Sequence, residues 1–282
     1  MESASTTDSA PTGIACERRG PLGRALSTFL FNPVANYTPA GLMRAVLKFT
    51  GSELAAANWK DPGGWRSMVI SYNGRCYQIA DKILVGAGTM SRALRNRRRL
   101  AAAILTGLID HSPRQPAHVL CLGAGPGYII SDALSRAGKA SWATLVDISP
   151  DAFEYGRELA RRMGLAERMR FVLGDARDVR DMLAEPPDIV KMLGLCEYLT
   201  DEQISSIVQA LAEVMPAGAP IVANSLSPAH GTDRFFRRVF GLNMTYRSSQ
   251  ELTDLMGKCG FGDFQAYPEP LGVYNVIVGR RT

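Results

Sequence analysis

Several things are scarce in this chain, and each scarcity removes a class of chemistry. Histidine, the usual proton carrier near neutral pH, occurs only three times in 282 residues. His111 falls in a linker, His118 in an apolar run away from its ligand end, and His230 in a loop-rich insertion, so His230 is the one candidate histidine base. The five cysteines (Cys16, Cys76, Cys121, Cys196 and Cys259) never stand as CxxC. That spacing argues against a zinc site or a disulfide framework and suits a reducing, cytoplasmic setting. No His/Cys/acid cluster has metal-ligand spacing, so no metal is expected. A run of about 18 apolar residues is missing, and with it any sign of a membrane span. Aromatic and basic residues do not interleave, which disfavours nucleic acid as substrate. Residues 1–20 are rich in Ser, Thr, Pro and charge, lack the apolar core of a signal peptide, and read as a disordered tail.

What remains is a chain with 46% hydrophobic residues and a net charge of +5, enough to bury one large core plus an appendage. Part of the positive excess sits in Arg95, Arg97, Arg98 and Arg99. Such a run reads first as a solvated helix face, and second as a basic surface for an acidic carrier protein. Residues 21–115 form a helical front section, with apolar residues at helical spacing over 22–31 and 41–49 and a long helix over about 91–110. Asn58-Trp59-Lys60-Asp61-Pro62-Gly63-Gly64-Trp65 breaks it. From 116 to 282 strands and helices alternate, the pattern of a helix-covered parallel sheet. Strands are predicted over 117–122, 142–147, 169–173, 187–192, 219–225, 262–267 and 272–279, the last two close together. An insertion at about 228–248 carries Phe235, Phe236, Phe240 and Tyr246, either as a lid over the cleft or as plain core.

The most informative stretch is Val119-Leu120-Cys121-Leu122-Gly123-Ala124-Gly125-Pro126-Gly127. An apolar strand empties into a glycine-rich turn, and a helix follows whose N-terminus presents free N–H groups. The next strand ends in Asp147, 20 residues after Gly127, where an acid can hold both hydroxyls of a ribose. A third ends in Gly174-Asp175-Ala176. Three ligand-facing strand ends in this order resemble the class I S-adenosylmethionine (SAM) methyltransferase fold, a Rossmann-like seven-stranded sheet. The pairing of the last two predicted strands as an antiparallel edge hairpin is what this resemblance implies. The resemblance implies that Gly123, Ala124 and Gly125 meet the methionyl and ribose portions of SAM. It places Asp147 on the ribose, Ile148 against adenine, Asp175 and Ala176 at the adenine edge, and Leu193 beside the ligand. Tyr198, in the loop after the fourth strand, offers a ring face to the sulfonium. Asn224 and Ser225 end the fifth strand and are candidates to hydrogen-bond an amine or carboxylate. Glu197 is either a general base or a surface acid.

Cys121 departs from that family, which usually has Asp or Glu there to help hold the ammonium of SAM. Without a carboxylate nearby, the free amine is easier to reach. Across residues 28–280 the chain further resembles the azetidine-2-carboxylate synthases of nonribosomal-peptide pathways. The resemblance rests on Leu30-Phe31-Asn32-Pro33, the segment Asn58 through Tyr72, Ala93-Leu94-Arg95-Asn96-Arg97-Arg98 and Gly194-Leu195-Cys196-Glu197-Tyr198-Leu199. It implies that SAM is itself the substrate. The α-amine attacks its own γ-carbon, giving azetidine-2-carboxylate and methylthioadenosine, with Tyr198, Ser225 and Asn224 as the catalytic set and an indirect link to a peptide synthetase. Two alternatives stay open at this level: a methyltransferase acting on a small metabolite, and a non-catalytic SAM-binding protein.

Overall fold

The computed structural model describes residues 13–183 and 185–282. Its centre is a sheet of seven strands: β1 (Ala117–Leu122), β2 (Ser141–Asp147), β3 (Met169–Leu173), β4 (Ile189–Met192), β5 (Pro220–Leu226), β6 (Phe261–Pro268) and β7 (Tyr274–Arg281). The spatial order is β3-β2-β1-β4-β5-β7-β6. The first five strands run parallel, and β7 inserts antiparallel between β5 and β6. This is the class I SAM methyltransferase fold. Strand β1 is buried along its whole length, as expected where helices cover both faces of a parallel sheet. On one face the helices Thr89–Asp110, Tyr128–Arg136 and Pro150–Arg162 pack against Val119, Cys121, Ala143 and Leu145. On the other, Asp201–Val214 and Ser249–Gly257 cover Leu120, Leu122, Val146 and Val190.

A third apolar cluster joins the front section to the insertion. Leu47, Ala93 and Leu94 meet Phe235, Val239, Phe240 and Tyr274. Phe235 and Phe240 are thus core side chains, and the insertion is the floor on which the front helices rest.

The arginine run is not a solvated face. The helix Thr89–Asp110 lies between the front helix Trp65–Asn73 and the helix Tyr128–Arg136, so its arginines turn inward and each finds a partner. Arg95 donates to both carboxylate oxygens of Glu17, at 2.6 and 2.8 Å, and to the carbonyls of Ser71 and Val85. Arg98 forms a two-pronged pair with Asp132, at 2.7 and 3.0 Å. Arg97 is only 2% exposed. The tail expectation changes accordingly. Residues 1–12 lie outside the described residues, but Glu17 is docked: its N–H donates to Asn96 Oδ1 and its carbonyl accepts from Asn96 Nδ2. The Arg95 hydrogen bond holds the Glu17 carboxyl below the usual carboxylate range. Among the described residues no helix is long and apolar enough to cross a membrane.

Candidate active site

A cleft of about 470 Å³ opens at the carboxyl ends of β1, β2 and β4. Gly123, Ala124, Gly125, Asp147, Ile148, Asp175, Ala176, Leu193 and Tyr198 all line it, so nine residues named from the sequence meet in one place. Gly127 closes the loop with φ of 85°, and a Cβ there would stand 2.5 Å from Leu145 and 2.9 Å from Met169, which leaves glycine as the residue that fits. Asp147 ties the loop to the strand end. Its Oδ2 accepts from the Gly125 N–H at 2.7 Å and its Oδ1 from the Ser149 N–H at 3.0 Å. Each oxygen keeps a lone pair for a further donor, as a ribose diol would supply. Asp175 accepts from the N–H and guanidinium of Arg177, and these bonds keep its carboxyl below the ordinary range. The glycine cradle and the two acids fit an adenosyl group.

The deeper end of the cleft has a different character. Cys121 on β1 stands in register with Lys191 on β4, and both side chains line the cleft. Burial pushes the Cys121 thiol up to about 12, so it presents no negative charge there. Lys191 is 4% exposed and makes no hydrogen bond or ion pair among the described residues. Burial lowers its pKa, and the Arg97 guanidinium adds to the effect, while the Cys121 thiol, Asp147 and Glu197 oppose it. Desolvation favours the neutral form of such a lysine more than exposure to water would. Sequence reading counted Lys191 only as part of a strand. A lone lysine within the otherwise apolar 189–192 run was the available signal.

The mouth is walled by the front section. Asp61, Gly63, Gly64, Trp65, Met68 and Tyr72 face the glycine loop across the cleft. Trp65 Nε1 donates to Asp151 at 3.0 Å, Arg66 pairs with the same carboxylate at 2.6 Å, and the Trp65 ring lies 5.4 Å from that of Tyr155. Gly63, with φ of 75°, lets the loop pass against Tyr198: a Cβ at that position would lie 2.5 Å from the tyrosine hydroxyl. The sequence marked this stretch as a helix break; its role as a wall depends on long-range packing. The paired tryptophans flanking Gly63-Gly64 were its one visible sign.

Three candidates sit elsewhere than expected. Asn224 does not line the cleft; its Oδ1 accepts from the Gly194 N–H at 2.8 Å and from Arg97 at 3.3 Å, so it positions the loop after β4. Ser225 points to the opposite face of the sheet, where its hydroxyl meets Ser249 and Asn275. Side chains alternate along a strand, so the two neighbours could not share a face. Glu197 is neither base nor surface acid: it is buried and paired with Arg97 at 3.3 Å. Around this pair Arg97 Nε, Glu197 Oε2 and Asn224 Nδ2 are buried without partners.

His230, the candidate histidine, also lies outside the cleft. It is buried between Thr232 and the Tyr246 hydroxyl, and that burial depresses its pKa to about 4. A histidine kept neutral in the folded state, against 6.5 when free, stabilises the protein above pH 6.5, and that contribution fades as pH falls through about 4. We expect acid to remove roughly 3 kcal/mol through this residue, measured as denaturant unfolding from pH 7 to 4. His230→Gln should flatten that slope; an unchanged slope would overturn the assignment.

Among the described residues no group of His, Cys, Asp and Glu is arranged to hold a metal ion. Residues 73–281, most of the chain, match the family described as "Putative methyltransferase". The chain belongs to this methyltransferase family. Among curated relatives, the Escherichia coli protein YnbC is 23% identical over 215 residues, covering 72% of this chain and 37% of that protein. The Escherichia coli tRNA 5-carboxymethoxyuridine methyltransferase is 26% identical over 117 residues, 42% of each. The chain therefore spans less than half the length of these two relatives. A solved structure of magnesium protoporphyrin IX methyltransferase from Synechocystis with bound SAH superposes with a TM-score of 0.57 at 12% identity, covering 86% of this chain and 99% of that one.

Proposed function

We propose that this member of the methyltransferase family uses SAM as its own acceptor, closing the aminocarboxypropyl chain to azetidine-2-carboxylate. The carrying observation is the Cys121–Lys191 pair at the inner end of the cleft, a buried thiol and a buried amine where an ammonium-holding acid would otherwise stand. The reaction asks first for a neutral amine. The α-amino group has an ordinary pKa of about 8, and desolvation beside the Arg97 guanidinium, with a thiol at position 121 in place of a carboxylate, lowers it. Lys191 Nζ, as the free base, takes the ammonium proton. The freed lone pair then attacks the γ-carbon, the Cγ–S bond breaks, and its electron pair leaves on sulfur as methylthioadenosine. Tyr198 offers its ring to the sulfonium before that bond breaks. The Trp65, Tyr72 and Tyr128 rings keep water from the reacting atoms. The ring amino acid would then serve a nonribosomal peptide synthetase.

A second reading, methyl transfer to a small-molecule acceptor, is favoured by the family and by an apolar recess beside Tyr198 lined by Met68, Leu242, Met244 and Tyr274. In that case Lys191 would deprotonate the acceptor. Purified protein with SAM alone separates the two by mass spectrometry. Methylthioadenosine with azetidine-2-carboxylate supports cyclisation; unconsumed SAM, turned over to S-adenosylhomocysteine only when an acceptor is added, overturns it.

Cys121→Asp gives a finer check. The new carboxylate would pair with Lys191 and favour a charged amine, so SAM affinity should stay within about threefold while product formation falls about tenfold or more. Equal or faster turnover in this variant would remove the argument from the missing acid.

A further inference from the structure

The front helices carry apolar side chains on both faces. In the helix Ala40–Phe49, Met43 and Leu47 turn into the core shared with the insertion, while Leu42, Val46 and Phe49 form a second stripe that faces outward. The preceding run, Pro21–Leu26 through Asn32–Tyr37, repeats the arrangement with Leu22, Phe29 and Tyr37 outermost. Exposure reaches 93% at Phe49, 81% at Phe29 and 75% at Leu22. Both helices lean on the same support, since Asn36 bonds Gly231 and Phe235 and Arg44 bonds the carbonyls of Arg238 and Val239. Their outer stripes therefore look away from the body together. A helix that is apolar all round belongs in an interior.

We infer that residues 22–49 form the contact face between two copies of this chain. The ten large apolar side chains of the segment are about 60% exposed on average, so at roughly 150–200 Å² for a whole side chain they present on the order of 1,000 Å². A typical lone protein shows a largest apolar patch of about 300–600 Å², and a standard interface buries about 800 Å² per partner. The composition also fits a protein partner: aromatics are dense and charge is sparse, with Arg24 and Lys48 the cations left free and no acid between 21 and 52. A membrane-surface helix would instead carry many basic residues on an outward polar face, and here the outward face is apolar. Two-fold pairing satisfies the patch with itself. The inference stands apart from the reaction proposed above.

Sedimentation equilibrium of the full chain at micromolar concentration tests it. A mass twice the 30.6 kDa of the chain is expected, falling to one for Phe29→Glu with Phe49→Glu, with SAM affinity unchanged because neither residue lines the cleft. If that double variant fails to fold, Leu22→Ser with Leu42→Ser gives the milder test, and hydrogen exchange of 22–49 in the wild type should quicken on dilution below the dimer constant. A wild type that sediments as a monomer at tens of micromolar overturns the inference. So does a monomer that binds vesicles of phosphatidylcholine with phosphatidylserine, and so does a dimer that survives both pairs of substitutions.

Discussion

Lys191→Met should slow consumption of SAM by about 100-fold or more and, in the same protein, raise the melting temperature. The first effect is the loss of a positioned base, an effect of about 10²–10⁴ in rate. The second follows from linkage. Burial makes the Lys191 ammonium harder to keep in the folded chain than in the unfolded one, where its pKa is near 10.5. Between the lowered folded value and 10.5 the unfolded chain binds more protons, so wild-type stability rises with pH across that window and falls as pH drops through it. Methionine has nearly the same length and no charge to desolvate, so the variant should be more stable at neutral pH and should lose this slope. The rate should show the same group from the other side. Wild-type turnover should rise with pH through the lowered lysine value, and the variant should lack that limb. Thermal unfolding and single-turnover rates from pH 6 to 10 give both readouts. A variant that is slower and also less stable would mean that Lys191 supports the fold rather than the chemistry.

For Asp147→Ala, SAM affinity should fall by about 100-fold or more while the fold survives. Asp147 makes no apolar contribution to the core, but it holds the Gly125 and Ser149 N–H groups and is the one acid in place for a ribose. Two hydrogen bonds to a charged acceptor at about 1.5–3 kcal/mol each account for a loss of that size. Asp147→Asn should be nearly as harmful, because its NH2 group would face N–H donors where an acceptor is needed. Calorimetric titration with SAM measures the loss. An affinity within threefold of wild type would show that the ribose is held elsewhere.

The nucleoside half of this site was legible in the sequence, and the chemical half was not. Strand ends reveal themselves through apolar runs that stop at Gly123, Asp147 and Gly174, since backbone approach and ribose binding each demand a residue type at a fixed place. The seven strands follow from the same runs, whereas their spatial order comes from the structure. Lys191 escaped notice because what lowers its pKa is burial under long-range packing and the Arg97 guanidinium, 94 positions away in sequence. Arg97 itself was read as solvated because four arginines in five residues look alike until the packing of the Trp65–Asn73 helix decides which of them are buried. Ser225 and Asn224 failed for a simpler reason: alternation fixes that they face opposite sides but not which side holds the ligand, and in the end neither lines the cleft. The Asp61–Tyr72 wall closes on the glycine loop over more than 50 residues of chain, a contact that local propensity does not encode.

The clamp of Trp65 and Arg66 on Asp151 joins two distant stretches of chain across the mouth of the cleft. The glycine loop, Asp147 and Asp175 come from residues 121–176, Lys191 and Tyr198 from the fourth strand and the loop after it, and the outer wall from a separate run of helices before the sheet begins. Replacing that run would reshape the mouth of the cleft and leave the glycine loop and its two acids as they are, so the width of the entrance and the grip on the ligand can be altered separately.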